Sequence, residues 1–201
     1  ERKGHDLVLR AMPEILQHVP EAVYVVAGEG PDLAGLQKLV IAPHLHPLPR
    51  GEGAKKQFLS PRERMSARTG EGLQSAVRFV GEISDEERPA YYALCDVFVM
   101  PSRQIGPDVE GFGLSFLEAA QFGKPSIGGN SGGVPEAILD GKTGALVDPN
   151  DAGAFARVAV QLLRDDHLRH ELGQNAKARV MHEFRWERHV TALIKVLSSP
   201  T

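Results

Sequence analysis

Five short apolar runs divide the chain: "AVYVVAG", "VRFVG", "DVFVMPS", "KPSIGG" and "GALV". The first three are rich in β-branched and aromatic residues and close on glycine or proline, as buried strands do. Between them lie stretches with helical spacing. "GHDLVLRAMPEILQHV" places Leu7, Leu9, Met12, Ile15, Leu16 and Val19 along one stripe. "PDLAGLQKLVI", "SDEERPAYYALC", "GLSFLEAAQFG", "GGVPEAILDG" and "PNDAGAFARVAVQLL" read as helices, and the third opens with Ser84 and Glu87 in capping-box spacing. Strands that alternate with helices predict an α/β fold, a Rossmann-like parallel sheet with helices on both faces. Such sheets bind ligands beyond the carboxyl ends of their strands. The glycine-rich stretches here follow predicted strands and so fall at those ends.

The 201 residues suffice for one core, and 42% apolar with 24% charged residues describes a globular chain. A formal charge of −3 leaves no basic footprint for nucleic acid. The single cysteine, Cys95, excludes an internal disulfide and fits a reducing compartment. No apolar run reaches membrane-spanning length, and no signal peptide is visible. The expected location is cytoplasmic. Residues 42–75 break the pattern, with four prolines and six Lys/Arg against three Glu, which predicts a mobile insertion. Its basic character also fits contact with an anionic membrane surface. Residues 166–198 read as C-terminal helices. The chain opens on Glu1 rather than Met, and further sequence upstream is expected.

The chemistry concentrates in "VEGFGLSFLEAAQFGKPSIGGNSGGVPE", Val109 to Glu136. A helix starting near Gly113 offers unbonded N–H groups and the positive end of its dipole to an anion. Glu118 lies roughly 7–8 Å up that helix, leaning back toward its start. Its carboxylate can accept from two adjacent hydroxyls. Glu110 precedes the helix and points to the other side. Diol, diphosphate and second polyol, in that order, describe a nucleotide sugar. A solvated helix glutamate beside an unrelated loop glutamate has the same spacing.

"EGFGLSFLE" resembles the Glu-x7-Glu motif of the retaining glycosyltransferases of family 4, which have the GT-B fold. "ERKGHDLVLRAM", "VVAGEGP", "VRFVGEIS", "DVFVMPS", "GKPSIGGNSGGVPEAILDGKTGALVDPND" and "FRWERHV" follow in family order. The resemblance covers nearly the whole chain outside residues 42–75. It is to the C-terminal, donor-binding half, residues 1–201 forming one nucleotide-sugar-binding domain. The wording is nearest to phosphatidylinositol-mannosyltransferase-like members. The resemblance implies a hexosyltransferase whose substrates are a nucleoside-diphosphate sugar and a glycan, lipid or small-molecule acceptor, with no metal cofactor. It assigns Glu118 to the ribose hydroxyls and Glu110 to the transferred sugar. It places the backbone of Phe112, Gly113 and Leu114 at sugar and diphosphate, and Lys3 at the leaving phosphate. Gly81, Glu82 and Ile83 lie by the base, and Ser131, Gly132 and Gly133 line the cleft. In the family an arginine on the preceding strand, that strand itself, which sits mid-sheet, and an N-terminal half come before this segment, and the resemblance implies that they belong upstream of Glu1. Without them the chain is expected to carry out no transfer.

Two other readings compete. "GNSGG", Gly129 to Gly133, satisfies the nucleophile-elbow pattern of a serine hydrolase, with Asp148 and His182 or His189 as partners. Against it, Pro135 sits where the helix should run on from the serine. A non-catalytic nucleotide-sugar-binding module is the third reading. "HLRH", His167 to His170, reads as a solvated helix face rather than a metal site, because further ligands are lacking.

Overall fold

The computed structural model describes residues 2–41 and 73–198. The chain runs α1 (His5–His18), β1 (Tyr24–Ala27), α2 (Leu33–Ile41), α3 (Leu73–Ala76), β2 (Val77–Gly81), α4 (Arg88–Leu94), β3 (Phe98–Met100) and α5 (Leu114–Gln121). It continues with β4 (Ser126–Gly129), α6 (Val134–Ala137), β5 (Gly144–Val147), α7 (Ala152–Arg164), α8 (Asp166–Glu183) and α9 (Trp186–Ser198). Each run that reads as a strand is one, and each strand pairing is parallel.

The strands form two groups, β1–β2 and β3–β4–β5. Among the described residues β1 and β3 do not pair. The resemblance to the GT-B fold expects a further strand in mid-sheet, and the break lies between these two groups.

Helices cover both faces, and β4 shows why. Side chains alternate across a strand. Ile127 joins a core with Leu7, Val8 and Met12 of α1 and Phe155, Ala156 and Ala159 of α7. A Cβ on the next residue, Gly128, would instead press on Val134, Ile138 and Phe116, members of the opposite cluster. The first cluster also takes Tyr24, Val26 and Val77 from the other strand pair, so one core joins the two groups. Ala120 of α5 packs with Ala176 and Val180 of α8.

Local signals fix the helix ends. Asp151 and Asp165 cap α7 and α8, accepting from Ala154 N and Leu168 N at 2.8 and 2.9 Å. The Ser84/Glu87 box forms in both directions, at 3.2 and 3.3 Å. It closes a turn, and α4 begins only at Arg88, with Pro89 in its first positions. Most of the 42–75 segment lies outside the described residues. Its last residues depart from the expected insertion. Leu73–Ala76 form a helical turn leading into β2, with Ser75 buried.

Candidate functional site

The loop after β3 and the start of α5 carry the candidate site. Gly113 precedes α5 with φ +83°, a left-handed conformation open to glycine at little cost. The Phe116 ring packs directly beneath it, and Phe116 N bonds back to Gly113 O at 2.9 Å. No side chain caps this helix among the described residues. The N–H groups of Leu114 and Ser115 therefore remain available at the positive end of the helix dipole. Leu114 is 68% exposed, so what it can offer a ligand there is backbone.

Glu110 lies just before this start, its side chain only 12% exposed. Its Oε2 accepts from Lys3 Nζ at 2.7 Å and Arg2 Nη1 at 2.8 Å. Burial acts to raise the Glu110 carboxyl, but the hydrogen bond and charge of Lys3, reinforced by Arg2, hold it below the ordinary glutamate range. The sequence reading singles out Lys3 and not Arg2. Nothing local marks Arg2, whose partner is more than a hundred residues away.

Lys3 is itself anchored. Arg103, on the loop after β3, donates its backbone N–H to Arg2 O at 2.9 Å and its guanidinium to Asp6 Oδ1 at 2.8 Å. Both side chains of that ion pair are largely buried. The segment before α1 is thus tied to the loop that carries Glu110.

Glu118 faces a different partner. Its Oε2 accepts from the Tyr92 phenol of α4 at 2.7 Å. Burial, then the Glu118 hydrogen bond and charge, push the Tyr92 phenol well above its usual range, so it remains a donor. The two motif glutamates therefore sit in distinct surroundings, cationic at Glu110 and phenolic at Glu118.

The second glycine-rich loop, Ser131 to Gly133, packs on the first. Gly133 N donates to Glu110 O at 3.0 Å. A Cβ on Gly133 would lie 2.8 Å from the Gly111 carbonyl carbon and closer still to its oxygen. Glycine is required here for close approach. Gly81, Glu82 and Ile83 lie at and just beyond the end of β2, where Gly81 O accepts from Gly28 N at 2.7 Å. Among the described residues no hydrogen bond joins them to the Glu110–Glu118 segment.

The elbow geometry of a serine hydrolase does not form. Ser131 does not have positive φ, and the helix after it is the four-residue α6. His182 and His189 lie in α8 and α9, and His182 contacts Arg188. His167 is 92% exposed and pairs with Glu171, as a solvated helix face does. Among the described residues no three His, Cys, Asp or Glu side chains gather as a metal site, and no helix is long and apolar enough to cross a membrane. Cys95 is half-buried, its thiol pushed up to about 11 by burial, which makes it a poor nucleophile.

Residues 62–179, more than half of the chain, match the family model of glycosyl transferases group 1. The chain belongs to this family. Over 98% of its length it is 33% identical to the GDP-mannose-dependent alpha-(1-6)-phosphatidylinositol monomannoside mannosyltransferase of Mycolicibacterium smegmatis, and it spans 45% of that protein. It superposes with a TM-score of 0.69 and 26% identity on the C-terminal domain of a group 1 family protein, LpcC, from Francisella tularensis, covering 92% of this chain and 81% of that one. HepE of Anabaena, solved with UDP and glucose, shares the fold at a TM-score of 0.72 and 20% identity, over 99% of this chain and 46% of that one. This group 1 chain thus has the parallel α/β architecture of the C-terminal halves of GT-B glycosyltransferases, and it is less than half as long as the mannosyltransferase it matches.

Proposed function

We propose that this chain is the donor-binding half of a retaining hexosyltransferase that transfers a sugar from a nucleoside diphosphate to an acceptor hydroxyl. The observation that carries the reading is the separation of the two motif glutamates around one uncapped helix start, Glu110 on Lys3 and Arg2, Glu118 on Tyr92. A nucleotide sugar laid across that start places its ribose at Glu118, its diphosphate at the Leu114 and Ser115 N–H groups, and its hexose near Glu110. In the reaction the bond from the anomeric carbon to the diphosphate oxygen breaks and one to the acceptor oxygen forms. Negative charge then grows on the diphosphate. Lys3, Arg2 and the helix start are positive groups fixed beforehand where that charge appears, an arrangement that lowers a barrier by electrostatic preorganisation.

The mannosyltransferase relative is named for GDP-mannose, which makes GDP-mannose the first donor to assay. Calorimetry on the full-length protein tests the assignment. Glu118→Ala should weaken binding of the free nucleoside diphosphate by up to about 1.5–3 kcal/mol for each charge-assisted hydrogen bond lost to ribose. Glu110→Ala should leave that affinity nearly unchanged while sugar transfer falls. Equal losses of diphosphate affinity in both variants would refute the division of roles.

A further inference from the structure

We propose that Tyr92 is a positioning residue for the nucleotide end of the site: its phenol holds the Glu118 carboxylate in the orientation that accepts both hydroxyls of a ribose. The proposal rests on the donor-site reading above and deepens it. Tyr92 lies on α4, Glu118 on α5, and only the phenol oxygen reaches the carboxylate, at 2.7 Å from Oε2.

The ring has little freedom. It stacks on Phe122 with centroids 6.0 Å apart and meets Phe98 edge-on at 5.6 Å. Phe98 in turn meets Phe116 edge-on at 5.6 Å, beneath the start of the helix. A phenol on so constrained a ring holds its oxygen at one point beside Glu118 Oε2.

Acceptor capacity fits the role. An ionised carboxylate has about four lone-pair sites. Tyr92 takes one, on Oε2, and a ribose diol needs two. A half-buried glutamate held at one oxygen loses rotamer freedom before the ligand arrives, so less is lost on binding. The competing interpretation is that Glu118 merely satisfies a half-buried phenol, with Tyr92 retained for its packing. The two differ in what the hydroxyl alone does.

Tyr92→Phe removes that hydroxyl and keeps the ring between Phe98 and Phe122. Binding of GDP and of 2′,3′-dideoxy-GDP is measured by calorimetry on the full-length protein, with UDP and its dideoxy analogue in parallel. The variant should bind the ribonucleotide about 5- to 10-fold more weakly, the factor expected for one hydrogen bond's worth of orientation, and the dideoxy analogue unchanged within about twofold. Equal losses for ribo- and dideoxynucleotide, or no loss for either, overturn the proposal in favour of a packing role. Glu118→Ala separates this from the donor-site reading, because it should abolish the preference for the ribonucleotide. A Glu118→Ala variant that keeps that preference, or a wild type that binds neither nucleotide, overturns the donor-site reading and this proposal with it.

Discussion

Gly133→Ala is the substitution for which the structure gives the clearest magnitude. The added methyl would sit 2.8 Å from the Gly111 carbonyl carbon and 3.3 Å from Phe112 Cα, where ordinary contact begins at 3.4 Å. Those neighbours are backbone and cannot rotate away, so the loop carrying Ser131 to Gly133 must withdraw. Overpacking of this kind costs about 1–3 kcal/mol. Withdrawal also breaks the 3.0 Å bond from Gly133 N to Glu110 O, worth about 1 kcal/mol more. The alanine restricts the unfolded chain and returns about 0.4–1 kcal/mol. The net expectation is a loss of about 2–3 kcal/mol, which for a chain of this length lowers the melting temperature by roughly 4–12 °C. Gly111→Ala is the control, since nothing lies within 4 Å of its Cβ position. Its stability should stay within about 0.5 kcal/mol of wild type. Differential scanning calorimetry reads both. A Gly133→Ala protein melting within about 2 °C of wild type would refute the claim that the two glycine loops are locked together.

Two further expectations concern the segment before α1. Glu110 is held below the ordinary glutamate range, so its contribution to stability is complete above pH 4.5 and is lost as pH falls through its lowered value. Urea unfolding between about pH 3 and 6 should show that extra acid sensitivity in wild type and not in Glu110→Gln. Arg103→Ala should cost about 1–3 kcal/mol by leaving the largely buried Asp6 without this partner. It should also raise the KM for donor by loosening Lys3, and a stability loss with unchanged KM would remove Arg103 from the positioning of Lys3.

Much of this architecture is legible in the primary structure, because strands and helices carry their own periodicities. Leu7, Met12 and Ile15 recur at helical spacing and are buried together, and Asp151 caps α7 as its chemistry suggests. Glu110 and Glu118 are marked by their separation around a glycine-bracketed helix start. Their partners are not. Arg2 meets Glu110 across 108 residues, Tyr92 meets Glu118 across 26, and Arg103 meets Asp6 across 97. Periodicity shows which face a residue occupies but not which element lies beside it, and strand order, which decides that, leaves no trace in the spacing. The contact between Gly111 and Gly133 is hidden for the same reason. Two glycine-rich turns in one sequence do not announce that they touch.

Side chains of α1 and α7 join both strand groups in one core. Amide exchange should therefore be slowest around that core. The β4 amides, between two bonded neighbours, belong to its most protected part. A local lifting of α1 would separate Lys3, which leads into that helix, from Glu110 on the loop that follows β3. The loss of the cationic end of the site would then precede the loss of the fold.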